Sequence, residues 1–96
     1  MRWTWDPSKA AANRVEHGLS FATAAYVFDD PFHASKPDPH SEGDRWHTIG
    51  LVGRVLLLVI HTWPEVELEG EEPVGRIISA RKATPHERKA YEEGEF

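Results

Sequence analysis

Cysteine is absent from this 96-residue chain, which excludes a disulfide framework, a thiolate metal site and a cysteine nucleophile. A cysteine-free chain fits a reducing, cytoplasmic setting. Long apolar runs are also missing. The longest strictly apolar stretch, Val55 to Ile60, is far short of the roughly 18 residues that mark a membrane span. Nothing near Trp3 to Pro7 resembles a signal peptide, because that segment runs straight into a helix start. No Gly-rich phosphate loop, Walker motif or serine nucleophile elbow is present. The six histidines form no HxH or HxxxH pair, so no metal or other cofactor is expected.

Positive charge is in short supply as well. Eleven Lys and Arg face sixteen Asp and Glu, a formal net charge of −5, which at first sight disfavours a nucleic-acid partner. The distribution is less simple. Glu65, Glu67, Glu69, Glu71 and Glu72 crowd one stretch, and Glu92, Glu93 and Glu95 another. Between them Arg76, Arg81, Lys82, Arg88 and Lys89 are opposed only by Glu87. Two readings fit this pattern: a solvated charged face, or a locally basic surface on an acidic protein.

What is present is enough for one small core. With 40% hydrophobic and 10% aromatic residues, residues 1–96 read as a single globular domain of modest intrinsic stability. Arg2 to Trp5 alternate as a short strand. Asp6-Pro7 is an N-cap and first-turn pair, and Gly18 closes the helix after His17. Ser20 caps a second helix in which Phe21, Ala24, Ala25 and Phe28 recur at helical spacing, ended by Asp29-Asp30-Pro31. Residues 31–44 read as irregular, with a short strand near Phe32 to Ala34. Runs 45–52 and 55–63 are close enough to form a hairpin about Gly53-Arg54, which sets Val52 opposite Val55, Trp46 opposite His61 and Arg45 opposite Thr62. Val55 to Ile60 is apolar on both faces and reads as a central strand. After the acidic Pro64–Val74 loop, Arg76 to Arg81 is a strand. Strict alternation puts Arg76, Ile78 and Ala80 on one face and Ile77, Ser79 and Arg81 on the other. Thr84-Pro85-His86-Glu87 is a capping box for a last helix that ends near Gly94. The order predicts an α+β fold, with two N-terminal helices and one C-terminal helix on a mostly antiparallel sheet.

The adjacent pair Asp29-Asp30 reads as a helix terminator rather than a carboxylate dyad. His33, His40, His47 and His86 read as loop or surface residues, and His17 as a residue favoured by the helix dipole. The remaining constellation is His61, Arg76, Arg81 and Lys82, with Arg45 nearby. Histidine titrates near neutral pH and moves protons, and arginines present forked donors to a crowded phosphorane. The set therefore suits metal-free phosphodiester cleavage by the neighbouring 2′-hydroxyl. Solvated surface cations paired to the Glu-rich segments are the alternative for the same residues.

Taken together, several ordered phrases resemble the BrnT family. They are Trp5-Asp-Pro-Ser-Lys9, Asn13 through His17-Gly18, Ser20-Phe21, Val27-Phe-Asp-Asp-Pro31, Arg45 with Ile49-Gly50, His61-Thr62, and Arg76-Ile-Ile-Ser-Ala-Arg-Lys-Ala-Thr84 with Glu87, Arg88 and Tyr91. The resemblance implies a RelE-like toxin fold and a ribonuclease activity that halts translation. It also implies a hetero-oligomeric complex with a ribbon-helix-helix antitoxin of the BrnA type, through which operator DNA is bound. By position it assigns RNA cleavage to Arg45, His61, Arg76, Arg81 and Lys82 as a group. The chain departs from the family pattern at Glu16, where a basic residue often precedes His-Gly, and in the long acidic Pro64–Val74 segment. A non-catalytic module that pairs with a DNA-binding partner is the competing expectation.

Overall fold

Local signals place the helices. In the computed structural model, which describes residues 1–96, strand β1 (Arg2–Thr4) leads into helix α1 (Pro7–His17). Asp6 accepts the Ser8 N–H at 2.8 Å, and Gly18 ends the helix at φ 69°, its N–H donating to the Arg14 carbonyl. Ser20 caps α2 (Phe21–Ala24) by accepting the Thr23 N–H. The second helix does not continue as an α-helix to Phe28; it tightens into a 3₁₀ turn over Ala25–Asp29. Its far end is held from outside the helix. The Asp30 carboxylate accepts N–H groups from Phe32 and Leu51 and the Tyr91 hydroxyl, which draws the last turn onto the sheet. Gly50 permits that approach: a Cβ there would lie 2.7 Å from the Val27 carbonyl oxygen.

The sheet has five strands in the order β1-β5-β4-β3-β2, with β2 spanning Ala34–Pro37, β3 Trp46–Val52, β4 Val55–His61 and β5 Val74–Lys82. It is mixed, because β1 runs parallel to β5 while every other pair is antiparallel. The hairpin register is the expected one, Val52 opposite Val55 and Trp46 opposite His61. The ladder stops there, so Arg45 does not pair with Thr62. The strand expected near Phe32 to Ala34 lies further on, at Ala34–Pro37, because its partner residues Trp46 to Ile49 set its position.

Phe21, Ala24 and Val27 from the helices pack against Leu57, Val59, Ile77 and Ala80 on one face of the sheet. The other face carries a smaller cluster of Ile49, Leu56 and Leu58, covered by α3 (Pro85–Glu93) through Tyr91 and by Phe96. Leu56, Leu57 and Leu58 are all buried because helices cover both sides of β4, and each contributes roughly 1.5–3 kcal/mol. Both halves of the Thr84/Glu87 capping box are made.

Strand β5 departs from strict alternation. His61 pairs with Ile77 while Ile60 pairs with Ser79, so one extra residue, Ile78, is accommodated as a bulge. Ile77 and Ala80 consequently enter the same cluster, where alternation would have put them on opposite faces. Asn13 of α1 stabilises this stretch from the helix side. Its Oδ1 accepts from the Ala80 N–H at 3.1 Å and the Ser79 hydroxyl at 3.2 Å, and its amide donates to the Leu19 carbonyl.

Candidate functional site

The end of β4 brings His61 under the helices, where it is 1% exposed. Trp3 and Phe28, stacked on each other at 4.1 Å, both meet the imidazole edge-on. Nδ1 lies 2.7 Å from the Thr62 carbonyl and Nε2 lies 2.6 Å from the Thr48 hydroxyl. A carbonyl only accepts, so Nδ1 carries the hydrogen and the neutral ring accepts at Nε2. Burial pushes the His61 pKa down, against smaller opposing effects of the Thr62 carbonyl and of Asp44. His61 is thus a neutral, fully engaged group at the floor of the sheet's end.

The cations expected beside it fall elsewhere. His61 and its partner Ile77 face the α1–α2 side, so Arg76, one residue before Ile77, faces the other side. The bulge turns Arg81 to that same side, opposite to Ala80, where strict alternation would have separated the two arginines. Arg45, one residue before Trp46, belongs to this side too by the alternation of β3. Arg45 and Arg76 are exposed and engaged in no ion pair. Arg81 is committed: its two guanidinium nitrogens donate to the two Glu87 oxygens at 2.7 and 2.9 Å. Lys82, paired with Leu57, is exposed at the far end of β5, next to Arg81 in the chain but on the opposite face. The structure therefore puts Arg45, Arg76 and Arg81 on the α3 side of the sheet, with Arg81 towards the other end of β5 from Arg76, and puts His61 and Lys82 on the reverse.

His47, which reads from the sequence as a loop or surface residue, lies on the α3 side of the sheet beside Asp38. His47, opposite Ile60 in β3, has its Nε2 3.4 Å from Asp38 Oδ2, too poorly aligned for a hydrogen bond and buried without another partner. The His40 N–H holds the Asp38 carboxyl below its ordinary range, helped by His47 and Arg45 and opposed by slight burial. Only the β2–β3 pairing brings Asp38 to His47, and no local spacing in the sequence signals it. Acidic groups also approach. A cleft of about 350 Å³ beside Arg76 is lined by Asp44, Glu65 and Glu67.

The Arg81–Glu87 pair anchors α3 and has a testable pH signature. Burial raises the Glu87 pKa, but the Arg81 hydrogen bonds, the Thr84 N–H and the Arg81 charge outweigh it and hold the group at about 2, against a usual 4.5. The folded state thus binds this proton less readily than the unfolded chain. Its stabilisation is complete above pH 4.5 and disappears as pH falls from 4.5 towards 2, a loss of about 3 kcal/mol at most. Denaturant unfolding at pH 5 and pH 3 should show wild type losing more stability between them than Glu87→Gln. Equal losses would mean that the pair contributes nothing.

No three His, Asp or Glu side chains cluster so as to hold a metal ion, and no helix is long and apolar enough to cross a membrane. The family model for BrnT, the ribonuclease toxin of type II toxin-antitoxin systems, matches residues 5–87. That span runs from Trp5 to Glu87 and includes Arg45, His61, Arg76, Arg81 and Lys82. No curated protein matches the chain.

Proposed function

The chain belongs to the BrnT family of type II ribonuclease toxins, and from that premise we propose that it is a metal-independent endoribonuclease whose phosphate-binding face is the α3 side of the sheet. The observation that carries this reading is the β5 bulge, which turns Arg76 and Arg81 to the same face of the sheet as Arg45. Arg76 and Arg45 donate to the phosphate and, more strongly, to the phosphorane that forms from it, because guanidinium forks match its equatorial oxygens. Arg81 holds α3 through Glu87 and adds charge beside the path of the strand. His47, the imidazole on this face, moves the 2′-hydroxyl proton through the ring nitrogen that is turned away from Asp38. His61 acts from the reverse side as a positioning residue, and Lys82 supplies charge to more distant phosphates. The protein acts in the cytoplasm, where cleavage inhibits translation. A cognate ribbon-helix-helix antitoxin of the BrnA type silences it and carries the complex to operator DNA.

Incubation of the purified chain with single-stranded RNA in excess EDTA tests the chemistry. Cleavage should persist and leave 2′,3′-cyclic phosphate ends, since the attacking group is the neighbouring hydroxyl. Activity lost on chelation and restored by magnesium would overturn it. A second reading is favoured by one observation, the three carboxylates lining the cleft at Arg76, which repel phosphate. On that reading the chain is a non-catalytic module that pairs with a DNA-binding partner in autorepression. A chain that cuts no RNA, yet tightens its partner's grip on the operator, selects it.

A further inference from the structure

Beside His61, on the helix side of the sheet, the end of the fold opens into a cavity of about 290 Å³, at the small end of ligand pockets. Trp3, Phe28 and Trp63 line it, and His33 and Ser35 bring polar atoms to its edge. Trp63 is 47% exposed, its ring tilted against Trp46 at 4.6 Å. Ser35 is the outer member of a hydroxyl chain: its Oγ lies 2.6 Å from Thr48 Oγ1, which lies 2.6 Å from His61 Nε2.

The inner end sets the direction of donation along this chain. With its hydrogen on Nδ1, His61 accepts at Nε2, so Thr48 donates to His61 and Ser35 donates to Thr48. Ser35 Oγ then presents lone pairs and no hydrogen to the cavity. His33 is arranged alike: its Nδ1, 2.7 Å from the Asp30 carbonyl, carries a hydrogen, which in the uncharged tautomer leaves Nε2 as the acceptor. Aromatic walls with two acceptors close in sequence suit a flat, apolar-faced ligand whose edge carries two N–H hydrogens. An exocyclic amino group has two hydrogens on one nitrogen. The pairing edge of uracil offers one N–H between two carbonyl oxygens, which would meet the acceptors lone pair to lone pair.

We propose that this cavity is a nucleobase subsite that stacks one unpaired base of an RNA strand and favours amino-bearing bases over uracil. The ribonuclease reading supplies only the identity of the polymer; the base preference follows from the hydroxyl chain and the aromatic walls. Single-stranded RNA is recognised in general by such stacking combined with edge contacts.

The test uses non-cleavable 2′-O-methyl hexamers of A, C and U, titrated into the full chain while its tryptophan fluorescence is followed. A and C should bind roughly three- to tenfold more tightly than U, the range of one to two net hydrogen bonds. Trp63→Ala should weaken all three roughly five- to 150-fold, whereas Trp63→Phe keeps most of the affinity because a stacking face remains. Ser35→Ala, at an exposed position on the edge strand, should abolish the preference among bases while retaining most of the affinity. Wild type that binds U as tightly as A and C, or that binds none of the hexamers, overturns the subsite; so does a Ser35→Ala variant that keeps the full preference. RNA cleavage without any such preference removes the subsite and leaves the ribonuclease reading standing. The preferences without cleavage do the reverse.

Discussion

Arg76→Ala is expected to slow RNA cleavage by roughly a hundred- to a thousandfold, about 2.7–4 kcal/mol of transition-state stabilisation, with the fold unchanged. The size of the effect follows from the charge that builds on the phosphorane: a fixed guanidinium fork interacts with it more strongly than with the ground-state phosphate. The unchanged fold follows from exposure, because the Arg76 side chain is in no ion pair that its removal would break. Arg45→Ala should cost a similar factor, and the double variant should fall to the background rate. Arg76→Lys should recover only part of the loss, because an ammonium is a point charge and not a fork. Single-turnover cleavage of one labelled RNA by wild type and the four variants, with circular dichroism as the check on folding, measures this. A folded double variant that cuts at the wild-type rate would end the assignment. Arg81→Ala should behave differently, losing stability along with activity, since it strands the Glu87 carboxylate at the start of α3.

His61→Ala is expected to act first on stability, by about 3–5 kcal/mol. It empties a fully buried site and strands the Thr48 hydroxyl, which the imidazole otherwise accepts from. In a domain this small, each kcal/mol is worth about 4–8 °C, so melting should drop by about 12–40 °C. Thr48→Val, which keeps the volume and removes only the donor, should cost far less. The pH dependence has a definite sign. Burial depresses the folded-state pKa of His61 below its usual 6.5, so the unfolded chain binds the proton more readily. The contribution is therefore full above pH 6.5 and lost as pH falls from there through the folded-state value. Calorimetry of wild type and His61→Ala at pH 7.5 and 5.5 checks both statements. A variant that melts within a few degrees of wild type at pH 7.5 would show that the ring is not part of the core. Loss of cleavage in His61→Ala counts for a catalytic role only at temperatures where the variant remains folded.

The elements that the sequence determined by itself are those whose causes lie within a few residues of one another. Asp6-Pro7 and Gly18 bound α1, Thr84 with Glu87 starts α3, and the two-residue turn at Gly53-Arg54 fixes the register that brings Trp46 opposite His61. Caps and tight turns are local hydrogen-bonding problems, so they can be solved before anything else folds. The family, too, was legible, because Trp5-Asp-Pro and Ile78-Ser-Ala-Arg-Lys-Ala-Thr84 lie in or beside those same local structures, and the match over residues 5–87 agrees.

The tertiary structure decided the rest, and above all which side of the sheet each candidate faces. One extra residue in β5 inverts the alternation beyond Ile78, and its support comes from Asn13, 67 positions from Ala80 in the chain. No window of neighbouring residues carries that information. The same holds for His61. Its spacing marks it as the polar end of an apolar strand, but its neutrality comes from Trp3 and Phe28 enclosing it and from the Thr62 carbonyl taking its one hydrogen. His47 and Asp38 likewise meet only because β2 pairs with β3. Long-range packing sets faces, burial and tautomers because these depend on what lies across the core, and a period of two along one strand is silent about that.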